Sequence, residues 1–144
     1  MGTFEILPHT ADVGFRATGD SLADLFETAG RAMFSIEYDL ASVEGDQEKP
    51  VAVESGDLES LLETWLSELV WLHDAMGFAP ADLVVREIGD SGAGDSWHLA
   101  GAAIGRSLGA WFEQTGPQIK AVTLHGLEVR QSEEGWQATV YLDV

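Results

Sequence analysis

Apolar positions recur along this chain with two different periods. Val13, Phe15 and Ala17 alternate with Gly14, Arg16 and Thr18, so residues 12–19 read as a strand with one buried face, preceded by a short strand over 3–6. From Ser21 the period lengthens. Leu22, Leu25, Phe26, Ala29, Met33 and Ile36 fall on one helical face. Ser21 is a suitable N-cap and Asp24 suits the positive end of the helix dipole, which predicts a helix running to about Glu37. Residues 39–49 are polar and acidic and predict a loop, and Val51 and Val53 alternate in a short strand over 50–54. A second helix, capped by Ser55 or Asp57, carries a wide apolar stripe of Leu58, Leu61, Leu62, Trp65, Leu66, Leu69, Val70 and Leu72. It is predicted to be the central core helix and to end near Gly77, before Pro80, with Trp65 and Trp71 both serving core packing.

Beyond this point the pattern is that of strands. Residues 81–89 and 97–106 read as two strands around the turn "GDSGAGDS" at 89–96. Residues 107–117 are Gly-rich and predict a loop. A closing hairpin follows, with strands over 118–131 and 135–143 joined at "SEEG". Two early helices and mostly antiparallel strands predict a single α+β domain over 1–144, two main helices packed on a mostly antiparallel sheet.

Composition narrows the function. With 144 residues, 45% of them hydrophobic, the chain can bury a core of its own. It has no cysteine, which excludes a disulfide scaffold, a thiolate metal site and a cysteine nucleophile. Neither a signal peptide nor a membrane span is legible, so a cytoplasmic location is expected. The net charge is −18, from 25 acidic against seven basic residues. Direct nucleic-acid binding is disfavoured, because that binding rests on Lys and Arg neutralising phosphates. A basic protein partner and a generally acidic, soluble composition remain as two explanations of the charge.

Candidate chemistry is confined to a few stretches. "PHTADVGF" at 8–15 places a histidine, a threonine and an aspartate just before a strand. A turn stabilised by Thr10 and Asp12 accounts for it, and so does a site. Asp12 shares the polar face of its strand with Arg16. The chain ends "YLDV", so Asp143 lies beside the α-carboxylate of Val144. The two either fray into solvent or, buried together, repel by about 4 kcal/mol at 4 Å and an effective dielectric near 20, a cost that a hard divalent cation turns into a site. In "IKAVTLHG", Thr123 and His125 fall on one face of a strand and Lys120 on the other; a lone strand histidine is most often structural. No HExxH, GxSxG, Walker loop or strand–helix GxGxxG is present.

Taken together, "HTADVGF" at 9–15, "SLADLFETAGRAMF" at 21–34, "DLESLLETWLSELVWL" at 57–72 and "IKAVTLHGLEV" with the closing "LDV" resemble the archease family, in its order and over nearly the whole chain. The resemblance implies a non-enzymatic protein without a small-molecule substrate of its own. Its implied partner is an RtcB-type GTP-dependent RNA ligase, whose active-site histidine it helps to guanylylate, supporting multiple turnover in tRNA splicing or RNA repair. An older reading of the family is a chaperone that modulates a tRNA methyltransferase. The resemblance further implies a divalent-metal site, for calcium, manganese or magnesium, formed by Asp12, Asp143 and the terminal residue Val144. His9 and His125 are implied to lie near it, and Lys120 belongs to the same motif block. The chain departs from the family pattern at Leu124, where an aromatic residue is usual, and at Trp71, where tyrosine is common. A stand-alone metal-dependent hydrolase is a rival reading, and no nucleophile–base pair supports it.

Overall fold

A computed structural model describes residues 2–7, 12–92 and 95–144. The strands are β1 (Phe4–Leu7), β2 (Val13–Gly19), β3 (Gln47–Ser55), β4 (Phe78–Asp90), β5 (Trp97–Ser107), β6 (Ala121–Ser132) and β7 (Gly135–Asp143), with helices α1 (Leu22–Glu37) and α2 (Leu58–Asp74). The fold class is the α+β one expected, but the strands divide into two sheets. One has the order β1-β2-β7-β6 and the other β3-β5-β4, and every pairing among the described residues is antiparallel.

The helices form a layer between the sheets. Helix α1 contacts β2 on one side and β4 on the other, and α2 contacts β6 and β3. This explains why α1 is buried over more than one stripe: Phe26, Ala29, Ala32, Met33 and Phe34 cannot all face a single sheet, yet none has more than 1% of its surface exposed. Trp65, fully buried, stands between the helices and donates its indole N–H to the Phe26 carbonyl at 3.0 Å. Trp71 differs from the expectation. It is 49% exposed and is not a core residue, because it lies on the side of α2 that neither sheet covers.

Local chemistry sets the helix starts. Ser21 Oγ accepts the Asp24 N–H, as expected, and Asp57 rather than Ser55 caps α2 by accepting the Ser60 N–H at 2.8 Å. Strand β3 begins at Gln47, inside the stretch expected to be a loop. Strand β4 begins at Phe78 and contains Pro80, which is tolerated because β4 is an edge strand with a register shift between Pro80 and Asp82. The β4–β5 turn falls partly outside the described residues; the Ser91 N–H donates to the Ser96 carbonyl across it. Strand β6 starts at Ala121, so the irregular segment runs from 108 to 120. None of the described helices is long and apolar enough to cross a membrane.

Candidate functional site

Four of the sequence-predicted residues, Asp12, Lys120, Asp143 and Val144, lie at one end of the four-stranded sheet. Val13 pairs with Leu142 and Ala121 pairs with Asp143, so the β7 terminus lies between the start of β2 and the start of β6. Carried one residue beyond the Val13–Leu142 pair, the same register sets Asp12 opposite Asp143. Leu142 points into the core and is fully buried, so alternation turns Asp143 outward, where it is exposed, and Asp12 faces the same side. Lys120 joins them through its backbone N–H, which donates to the Asp143 carbonyl at 2.8 Å. Val144 is half-buried and its side chain packs against the core, so it is more than a fraying end.

His125 is not on the regular ladder that strand alternation implied. Between the pairs Thr123–Tyr141 and Glu128–Thr139, residues 124–127 of β6 stand opposite a single residue of β7. The strand bulges there, with Leu124 58% exposed and the His125 N–H donating to Thr123 Oγ1 at 2.9 Å. Gly126 has φ +74°, and a Cβ on it would come within 3.0 Å of the Tyr141 ring; a Cβ on Gly14, on the other side of that ring, would come within 2.7 Å. Bare backbone on both neighbours thus lets Tyr141 lie flat against the sheet two residues before Asp143. Leu124, where the family pattern has an aromatic residue, is exposed on this bulge. His9 lies outside the described residues. Arg16, expected to share a face with Asp12, is engaged by Glu5 at 2.6 Å on the outer face of the sheet.

Among the described residues, the donors that Asp12, Asp143 and Val144 bring to this end are all oxygen, which suits a hard divalent cation. Among the described residues there is no group of three His, Cys, Asp or Glu side chains placed to hold a metal. A cation here would therefore take the carboxylates of Asp12 and Asp143, and further oxygens from the main-chain carboxyl group of Val144, from water or from a partner. Asp143 is exposed, so repulsion between the two carboxylates lies near the water limit of about 1 kcal/mol at 4 Å, below the figure for a buried pair.

One polar cluster behind this end was missed from the sequence. Glu37 and His73 are 2% and 4% exposed, and His73 Nε2 lies 2.5 Å from Glu37 Oε2. His73 Nδ1 lies 2.9 Å from the Phe78 carbonyl, an acceptor only, so Nδ1 carries the proton and donates it. Burial opposes a charged ring, but the hydrogen bonds to Glu37 and Phe78 and the charges of Glu37 and Asp74 outweigh it and raise the His73 pKa above its usual value. Tyr38 stacks on the ring at 5.6 Å and donates to the Pro80 carbonyl; burial, with the charge of Glu37, pushes its hydroxyl pKa up. A signal existed. His73 continues the Leu66–Leu69 stripe and Glu37 follows Met33 by one turn, so each buried stripe ends on a titratable residue.

Comparisons with known proteins agree over the length of the chain. The profile of the Archease protein family (MTH1598/TM1083) matches residues 4–144. The chain is 36% identical over 146 residues to the protein archease of Methanothermobacter thermautotrophicus, covering all of both chains. It is 35% identical over 144 residues to that of Methanosarcina acetivorans, covering 98% of this chain and 95% of the relative. The solution structure of Methanobacterium thermoautotrophicum protein 1598 superposes with a TM-score of 0.82 at 34% identity, over 98% of each chain. A crystal structure of an archease from Thermotoga maritima, described as a possible chaperone, shares the fold with a TM-score of 0.58 at 21% identity, over 96% of this chain and 94% of that one.

Proposed function

The chain belongs to the archease family, and from that premise we propose that it is a non-enzymatic, cytoplasmic activator of an RtcB-type GTP-dependent RNA ligase. In this reading it promotes guanylylation of the ligase histidine and supports repeated turnover. The observation that carries the reading is the register that sets Asp12 opposite Asp143 at the exposed end of the sheet. Asp12, Asp143 and the main-chain carboxyl of Val144 would hold a calcium, manganese or magnesium ion. Such an ion, when bound, supplies positive charge and oxygen coordination next to phosphate chemistry.

What the chain itself contributes is position. Asp143 ends an interior strand, paired with Ala121 of β6 and next to Leu142, which pairs with Val13 of β2, so its backbone is fixed. A carboxylate held this way presents oxygen donors to a partner's active site without reorganisation, and phosphoryl transfer gains most of its rate from positioning and charge. Calorimetric titration of Ca²⁺ and Mn²⁺, alongside single-turnover guanylylation of the ligase, tests the reading. Wild type should bind weakly and activate, and Asp12→Ala and Asp143→Ala should lose both. Equal binding and activation by all three proteins would remove the site.

A chaperone role is the second reading, favoured by one observation. Phe4 and Ile6 lie on the inward side of β1 yet are 41% and 45% exposed, because α1 leaves that edge uncovered. Suppression of aggregation of unrelated clients, lost in Phe4→Ser with Ile6→Ser, is its test.

A further inference from the structure

The segment from 108 to 120 has no regular secondary structure, and it leads directly into Lys120 and the start of β6. Three of the hydrogen bonds that fix it to the rest of the molecule end on one residue, Glu37. The Glu37 carbonyl accepts the N–H groups of Thr115 at 2.9 Å and Gly116 at 3.0 Å. The Glu37 carboxylate accepts the N–H of Ile119 at 3.0 Å through Oε1, while Oε2 meets His73. Ile119 is 1% exposed, so its N–H has no access to water if the carboxylate leaves. The next N–H along the chain, that of Lys120, donates to the Asp143 carbonyl. A continuous set of hydrogen bonds therefore runs from His73 through Glu37 and the Ile119–Lys120 backbone to Asp143.

We propose that Glu37, held by His73, is a positioning residue that sets the 115–119 segment and, through it, the Lys120–Asp143 end of the sheet. Its importance for activity rests on the reading of that end as the working site. The coupling itself is a property of the fold and stands or falls separately.

The linkage is protonic. With the Phe78 carbonyl fixing the Nδ1 proton, a hydrogen bond between His73 Nε2 and Glu37 Oε2 needs one further proton, shared by the pair. When that proton leaves, two lone pairs face each other and a buried carboxylate loses its counter-charge. The groups around the ring are Glu37 and Tyr38 from the C-terminal end of α1 and Asp74 from α2 itself. Lys49 of β3 lies 5.8 Å from the Phe78 ring centre, and the 108–120 segment contributes the uncharged ring of Phe112 at 5.6 Å. Among these neighbours only Glu37 hydrogen-bonds to Nε2. Loss of the shared proton therefore releases the Glu37 carboxylate, and the Ile119 N–H with it.

Two-dimensional amide NMR on the full chain tests this, with the His73 ring followed in the same samples from pH 6 to 10. In wild type the amides of Ile119, Lys120 and Asp143 should shift together with the His73 titration. Glu37→Gln keeps an oxygen for Ile119 and an N–H for a neutral His73, so the three amides should hold their low-pH positions across the range. Glu37→Ala should displace all three at every pH and speed exchange of the Ile119 amide by roughly ten- to a hundredfold, the equivalent of one hydrogen bond to a charged group. Should Glu37→Ala fail to fold, wild type and Glu37→Gln decide. Lys120 and Asp143 amides that stay still while His73 titrates, or that match wild type in folded Glu37→Ala, overturn the proposal. Calcium added to the same wild-type sample separates the two claims. Asp12 and Asp143 amides unmoved by calcium would overturn the metal-site reading alone and leave the coupling intact.

Discussion

The Trp65 indole N–H donates to the Phe26 carbonyl across 3.0 Å, so the middle layer is fastened by a hydrogen bond as well as by packing. Both sheets press on these helices, and the site end of the four-stranded sheet inherits its rigidity from that layer. Trp65→Phe removes the bond and part of the indole volume and should cost about 1.5–3 kcal/mol; Trp65→Ala should cost about 3–5 kcal/mol. Urea unfolding should show the loss as a lower midpoint with an unchanged slope. A cost under about 0.5 kcal/mol for Trp65→Ala would contradict a helix layer packed from both sides.

The buried Glu37–His73 pair makes stability depend on pH in a stated direction. The His73 pKa is raised in the folded state, mainly against the cost of burial, by Glu37 and the Phe78 carbonyl. A raised histidine pKa adds stability that is fully present below the unfolded value of about 6.5 and is lost as pH rises through the folded value. Urea midpoints of wild type should therefore fall from pH 6 towards pH 9 by more than those of Glu37→Gln. In that variant a neutral imidazole meets a neutral amide, and no proton is released on raising the pH. Parallel curves for the two proteins would show that the pair does not carry a shared proton.

The same pair marks where sequence reasoning stopped. Periodicity locates α1, α2 and β2 because each has an apolar face to bury, and alternation in β7 places Asp143 opposite the side of Leu142. Once the strand ends meet, register alone brings Asp12 to Asp143. The usual role of aromatic residues in helices also implied that Trp71 would be core. It failed there because a helix between two sheets still has uncovered sides, and a tryptophan can occupy one. The start of β3 at Gln47 was illegible because edge-strand residues facing water carry no apolar signal. The β6 bulge was illegible because a register shift depends on the partner strand, and Gly126 alone does not announce it. Glu37 and His73 were passed over because a titratable residue at the end of a stripe is usually read as the place where the stripe meets water.

Charge makes a prediction about association. Of the seven basic residues, Arg16, Arg31, Arg86 and Arg130 each lie within 2.9 Å of a carboxylate of the same chain. The field that a distant partner meets is therefore set by the unmatched carboxylates, which make up the −18 net charge. A GTP- and RNA-binding ligase should offer a basic surface to it. Between low salt and about 0.3 M the association rate should fall by roughly an order of magnitude, with a smaller change in dissociation, because screening acts on encounter. Stopped-flow binding at several salt concentrations gives both rates. A salt-independent association rate would mean that the acidity serves solubility alone.

A short extension on Val144 separates the site from the fold. Most termini accept added residues without consequence. Here the extension converts the Val144 carboxylate into a neutral amide and places bulk beside Asp143, which is exposed. The Val144 side chain, half-buried against the core, is retained, so thermal stability should change by less than about 1 kcal/mol. Asp143→Asn makes the matching change from the side-chain direction: nearly the same shape, the same backbone acceptor for Lys120, and no charge. Both proteins should melt like wild type, bind Ca²⁺ at least about tenfold more weakly, the effect of losing one charged ligand, and activate guanylylation poorly. The same extension placed before Met1 should leave binding and activation close to wild type. If the C-terminally extended protein binds calcium and activates as wild type does while Asp143→Asn fails, Val144 is not a donor. The oxygens beyond Asp12 and Asp143 must then come from water or from the partner.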